Sequence, residues 1–151
     1  FGADLPLLPN KGQVYTLRID GLDESYMTSF GRFTIPLGNG RFRVGSTYEH
    51  LPNDALPSSV AEEILVDAGE ALRQPFEVID HQAGFRPTTL DRFPILGFHQ
   101  RHKRLGVFTG FGSRGVIMVP YYMQQLLQHW IEGEELPFEC DWKRFEARKK
   151  G

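Results

Sequence analysis

Apolar and polar residues alternate over residues 13–19, where Val14, Tyr15, Leu17 and Ile19 predict a strand that ends at the turn Asp20-Gly21. Two further β-rich runs, residues 26–36 and 41–48, are joined by Leu37-Gly38-Asn39-Gly40. That linker predicts a hairpin, because asparagine and glycine tolerate the positive φ of tight turns. In the second run Phe42, Val44 and Ser46 fall on one face, while Arg41, Arg43 and Thr47 fall on the other. The period then changes. After a loop over residues 52–57, Ile64, Leu65, Ala68 and Leu72 form one apolar stripe at helical spacing. Ser58 or Ser59 is placed to cap this helix, which runs to about Gln74 with Glu62 and Glu63 in its first turn. Residues 76–86 return to a strand pattern that closes at a Gly84-Phe85-Arg86-Pro87 turn.

The C-terminal third has one compact pattern. A short apolar strand, Leu105 to Thr109, runs into Gly110-Phe111-Gly112-Ser113-Arg114-Gly115 and then into the apolar run Val116-Ile117-Met118-Val119, which opens a helix. Tyr121, Tyr122, Leu126 and Trp130 are expected in its core-facing side. A strand that delivers glycines to a helix start aims backbone N–H groups and a positive dipole end at an anionic or electron-rich ligand. Residues 134–151 read as a polar tail whose RFEARKK end frays. Hairpin-like links with one helix between strands predict an α+β fold. It has a mixed or antiparallel sheet, one helix packed on it, and a C-terminal strand–glycine-rich turn–helix.

Composition narrows the function classes. The 151 residues suit a single domain, and a net charge of −2 gives no electrostatic case for nucleic acid or an anionic membrane. No apolar run approaches the ~20 residues of a membrane span. The opening FGADLPLLPNKG lacks the basic start and apolar core of a signal peptide. The single cysteine, Cys140, excludes an intrachain disulfide and suits a cytoplasmic protein. The five histidines have no metal-ligand spacing, so no metal is expected. Ser113 follows Gly112 directly and does not form a nucleophile elbow. Arg101 to Arg104 is a short basic loop. Gly110, Gly112 and Gly115 fit a dinucleotide-binding spacing, but no acidic residue follows at the expected distance in a second strand. Arg86 is placed either to hold a carboxylate or to pair with Asp91 or Asp80. The lack of an initiator methionine hints at a piece of a longer chain.

Several ordered motifs resemble the C-terminal part of the FAD-dependent D-amino-acid oxidase superfamily, in particular glycine oxidase-like amine oxidoreductases. Leu5-Pro6 with Lys11-Gly12-Gln13 is similar to the re-entry into that family's substrate domain. Ile35-Pro36-Leu37 through Gly40 and Val44-Gly45-Ser46-Thr47 are similar to its hairpin. Ala83-Gly84-Phe85-Arg86-Pro87-Thr88 with Asp91, Pro94, Ile95 and Gly97 follows the pattern Gly-x-Arg-Pro-x-Thr-x-Asp-x-x-Pro-x-x-Gly. The resemblance implies a substrate-binding domain over residues 1–104 and a flavin-contacting segment over 105–133, with the N-terminal FAD-binding half absent from this chain. It implies that Arg86 holds the substrate carboxylate, with Phe33 and Tyr48 nearby. Gly110, Phe111, Gly112, Ser113, Arg114, Gly115, Val116 and Ile117 would cover the pyrimidine end of a non-covalently held FAD.

The implied reaction is oxidation of the C–N bond of an amino acid or related amine, with hydride transfer to the flavin. Phe33 stands where glycine oxidases place a tyrosine, and Gly84 stands where sarcosine oxidases bond a cysteine to the flavin. The 151 residues alone are expected to be inactive and not to retain FAD. The expected partners are the amine substrate and the missing N-terminal domain, with no membrane and no nucleic acid. Two rivals are a tRNA-modifying oxidoreductase of the same superfamily and a non-catalytic small-molecule or partner-binding module.

Overall fold

The computed structural model describes residues 5–50, 52–99 and 102–145. The first residues of the lead-in segment, Arg101 of the basic loop and the charged end after Phe145 lie outside them. In chain order the elements are β1 (Leu7–Arg18), β2 (Thr28–Ser29), β3 (Phe33–Gly38), β4 (Arg41–Gly45), β5 (Glu49–His50) and α1 (Glu62–Leu72). They continue with β6 (Glu77–Thr89), β7 (Ile95–Phe98), β8 (Gly106–Thr109) and α2 (Gly115–Ile131). One sheet runs β2-β3-β4-β1-β5 with β6 also paired to β1, and β7-β8 form a second, two-stranded sheet. The pairings β1·β4, β2·β3, β3·β4 and β7·β8 are antiparallel, so the fold is α+β as expected.

The chain divides into two compact units, one of Lys11–Phe85 and one of the segments ending at Asn10 and starting at Arg86. In the Lys11–Phe85 unit, α1 lays Ile64 and Ala68 on Tyr15, Leu17, Ile19, Phe42 and Val44, with Leu65 and Leu72 at the margin. The predicted stripe is the observed one. The β3–β4 turn takes positive φ at Gly38 (86°), Asn39 (58°) and Gly40 (69°), as its residues require.

Two local expectations are corrected here. Ser58 makes no side-chain cap. Its hydroxyl accepts from Gln13 Nε2 at 2.8 Å instead, and its N–H donates to Gln13 Oε1 at 2.8 Å. Thr47 does not sit on the polar face, because β4 ends at Gly45 and the alternation lapses. It is buried, accepting from the Gln13 N–H at 3.0 Å and donating to Glu49 Oε1 at 3.0 Å. Gln13 is thus fully buried but satisfied on both ends of its amide, as a buried polar group must be.

In the other unit the core is Leu96, Tyr122, Leu136 and Cys140, with Phe108, Phe111, Met118 and Leu126 packed on it. The segment read as a polar tail supplies Leu136, Cys140 and Phe145 to the buried set. Their spacing follows neither a strand nor a helix period, so the sequence pattern hides them. Of the α2 residues expected in the core, Tyr122 and Leu126 are there. Tyr121 and Trp130 are more than half exposed. Burial pushes the Cys140 thiol up to about 11.

Candidate substrate and flavin-facing site

The strand signal over residues 76–86 continues further than the sequence suggests. β6 runs through Arg86-Pro87 to Thr89, so the predicted Gly-x-Arg-Pro turn is extended strand. The cause is the one that disfavours helix there: a following proline pushes Arg86 into β geometry. The guanidinium of Arg86 donates from NH1 to Asn10 Oδ1 at 3.0 Å, and Asn10 is buried. The two carboxylates proposed as its ion-pair partners have other donors. Asp91 takes Arg144 instead, with Nε on Oδ2 at 3.0 Å and NH2 on Oδ1 at 3.2 Å. Asp80 accepts from Gln82 Nε2 at 2.7 Å and from the His81 N–H at 2.9 Å. Burial works to raise the Asp91 carboxyl, but the Arg144 guanidinium and the Phe93 N–H outweigh it and hold the group below its ordinary value.

The glycine turn lies directly on the strand that carries Arg86. Gly110 has φ 84°, and a Cβ there would come within 2.9 Å of Thr89 Cγ2. Gly112 has φ 54°, and its Cβ would come within 2.8 Å of Thr88 Cγ2. Both positions therefore need glycine twice over, for backbone conformation and for space. The two threonines are themselves fixed: Thr89 Oγ1 donates to the Phe93 carbonyl at 2.7 Å, and the Thr88 hydroxyl donates to the Leu8 carbonyl. Gly115 is under no such demand, since its Cβ would meet only Phe111 Cβ at 3.5 Å.

Gly112–Arg114 form one 3₁₀ turn, and α2 starts at Gly115. No side chain caps α2 and no acidic residue occupies its first turn. Arg114 is drawn away to the Arg92 carbonyl, NH2 to O 2.6 Å. Val116 and Ile117 are 93% and 83% exposed. A helix start with apolar flanks, no cap and no acidic side chain suits an aromatic ligand with an electron-rich edge.

Arg86 and all eight turn and helix residues named from the sequence belong to one unit. Phe33 and Tyr48 belong to the Lys11–Phe85 unit. There Phe33 sits opposite Gly45, and a Cβ on Gly45 would lie 3.3 Å from Phe33 Cζ and 2.6 Å from Val14 Cγ1. Tyr48 is half exposed, with its ring edge-on to His50 at 5.0 Å. Asn10 and Arg144 went unnoticed in the sequence, since no spacing rule ties either to its partner 76 or 53 residues away. Among the described residues no group of three or more His, Cys, Asp or Glu is placed to hold a metal ion.

A sequence profile of FAD dependent oxidoreductases matches residues 1–126, which takes in every site residue named from the sequence. The chain belongs to this family. It is 32% identical over 123 residues to glycine oxidase of Pseudomonas putida, covering 79% of the chain and 34% of that protein. It is 26% identical to the tRNA 5-methylaminomethyl-2-thiouridine biosynthesis bifunctional protein of Pseudomonas fluorescens, covering 97% of the chain and 29% of that protein. The crystal structure of glycine oxidase from Bacillus cereus superposes with a TM-score of 0.73 at 23% identity, covering 90% of the chain and 39% of that one. The chain therefore spans about a third of the length of the curated relatives it matches.

The residues present fit one part of the family's cofactor. Gly110 and Gly112 let the turn close onto Thr89 and Thr88, and the α2 start beyond it has neither a side-chain cap nor an acid, as the electron-rich edge of an isoalloxazine needs. After α2 the described residues make a single parallel bridge, Asp141 with Leu96 of β7.

Proposed function

We propose that this segment is the substrate-binding and C-terminal flavin-contacting part of an enzyme that oxidises the C–N bond of an amino acid or related amine. The observation that carries the reading is the packing of the Gly110–Gly112 turn on Thr88 and Thr89. It ties the start of α2 to the strand that presents Arg86. When bound, FAD supplies the two-electron acceptor. The chain supplies position and field. Arg86, held by the neutral Asn10 amide, offers a planar fork to the substrate carboxylate. The backbone from Phe111 to Ile117 places a positive helix end against the ligand edge that gains negative charge. Phe33 offers an apolar face where a hydroxyl contact is not available. The partner for the diphosphate is an FAD-binding portion outside these residues, so the 151 residues alone bind FAD weakly.

The test uses the complete polypeptide that carries this segment. Anaerobic addition of glycine and of D- and L-amino acids should bleach the flavin band for at least one of them. Arg86→Ala should raise the apparent KM by about 10²-fold with unchanged flavin content, the loss of one bidentate charged contact. Bleaching by none of them, or unchanged kinetics for the variant, would contradict the reading. A second reading, oxidation of an amine carried on tRNA, is supported by the similarity to the bifunctional proteins. A gel shift with tRNA would favour it over a free amino acid. The net charge of −2 offers that interaction no bulk attraction.

A further inference from the structure

Arg86 and Asn10 belong to the same unit and meet across two paired strands, β6 and β1. Two ties join the strands there. The Thr88 hydroxyl donates to the Leu8 carbonyl, and Arg86 NH1 donates to Asn10 Oδ1 at 3.0 Å. The ties step two residues along each strand in opposite senses, so the strand pairing itself brings residue 10 to residue 86. Asn10 is 1% exposed. A guanidinium can only donate, so the amide turns its oxygen and not its nitrogen toward Arg86. A buried acceptor on a short side chain fixes the direction of the fork.

The acceptor is neutral, and that distinguishes the contact from others in the chain. Lys11 is held by Glu49 and Asp54, Arg32 by Glu63 and Asp67, and Arg144 by Asp91. Each of those pairs uses the charge of its cation inside the protein. The contact with Asn10 orients the guanidinium and cancels none of its charge. An aspartate would fill the same volume and accept the same hydrogen bond. Its negative charge would then compete with a substrate carboxylate for the guanidinium.

We propose that Asn10 is a positioning residue that acts through Arg86, and that its neutrality sets the preference for an anionic over a neutral group on the substrate. This rests on the amine-oxidising function proposed above, in which Arg86 holds the carboxylate. Asn10 aims the fork, and Arg86 makes the contact.

The test uses the complete flavin-loaded polypeptide, the amino acid that bleaches its flavin fastest, and the carboxamide of that amino acid. The readout is the ratio of kcat/KM for the acid to kcat/KM for the amide. Asn10→Asp should lower that ratio by about tenfold or more, the worth of one charged hydrogen bond, with the loss carried in KM for the acid. Its thermal midpoint should stay near the parent value, because the contact with Arg86 survives. Asn10→Ala keeps the charge of Arg86 and removes its hold, and should lower the ratio by about threefold, the worth of a neutral hydrogen bond. In an Arg86→Ala background the same substitution should leave the ratio as it is, since the two side chains act as one unit. A folded Asn10→Asp variant with the parent ratio would overturn the inference and leave Asn10 as a fastener between strands. So would an Asn10→Ala effect of equal size with and without Arg86. If Asn10→Asp does not fold, the two Asn10→Ala measurements decide alone. Failure of every amino acid to bleach the flavin defeats instead the proposed function beneath the inference.

Discussion

Both helices follow a 3₁₀ turn and lack a side-chain cap, but their first turns differ. α1 opens with Glu62 and Glu63 in its first turn, where acidic side chains answer the positive dipole end, and buries Ile64 and Ala68 in the core. α2 opens on Gly110, Gly112 and a 3₁₀ turn, carries no acid in its first turn, and exposes Val116 and Ile117 almost fully. The first helix answers its positive end with its own acids and serves packing. The second leaves its positive end and its apolar flanks for something else to satisfy. Two glycine turns repeat the contrast. Gly38 and Gly40 of the β3–β4 hairpin need only positive φ, since added Cβ atoms would find their nearest neighbours at 4.0 and 3.5 Å. Gly110 and Gly112 need positive φ and room as well.

The largest expected effect tests that second contrast. Gly110→Val should cost about 3 kcal/mol or more, adding a clash with Thr89 to the strained φ. Gly40→Ala should cost only about 1 kcal/mol, for φ alone. Urea unfolding of each variant measures the difference, and equal costs would erase the distinction between the turns.

Next in size is the pair that fixes the loop after β6. Arg144→Met strands a half-shielded Asp91 carboxylate and should cost about 3 kcal/mol, as breaking a buried ion pair does. The pH dependence has a definite sign. Asp91 is held below its ordinary value when folded, so its contribution is complete above about pH 4, the ordinary carboxylate range. It is lost as pH falls through the depressed folded value. Glu49 is also held low, burial being outweighed by hydrogen bonds from Gln13 and Thr47 and by Lys11, and it adds to the same window. Denaturant midpoints in the Arg144→Met variant should therefore fall less steeply below pH 4 than those of the parent. Parallel profiles would show that the pair is not the source.

Much of the fold was legible because its signals are local. The alternation around Tyr15 and Leu17, the Gly-Asn-Gly hairpin and the Ile64–Ala68–Leu72 stripe each follow a fixed period or a turn requirement. The glycine turn was legible for the same reason. What escaped notice joins distant residues: Asn10 to Arg86, Arg144 to Asp91, and Gln13 to Thr47, Glu49 and Ser58. Such pairs are decided by where the sheet brings strands together, which no window of sequence contains. Residues 136–145 were misjudged because Leu136, Cys140 and Phe145 enter the core from irregular chain without a period.

A smaller effect separates the helix starts electrostatically. Glu63→Gln should cost about 0.5 kcal/mol by removing a charge from the first turn of α1, beyond any loss of its contact with Arg32. Val116→Asp should add a similar amount of stability to α2 in the absence of flavin and weaken FAD binding in the complete polypeptide. Thermal melting and flavin fluorescence measure the two. Unchanged FAD affinity would mean that nothing electron-rich meets that helix.

The most direct measurement is the midpoint potential of bound FAD in the complete polypeptide with Gly112→Val. Pushing the Phe111–Ile117 backbone off the ligand should remove more stabilisation from the reduced state than from the oxidised one. The potential should then fall by about 30 mV for each 1.4 kcal/mol lost in a two-electron couple. A folded, FAD-loaded variant with the parent potential would reduce the turn to a strand–helix joint and take the flavin edge away from α2.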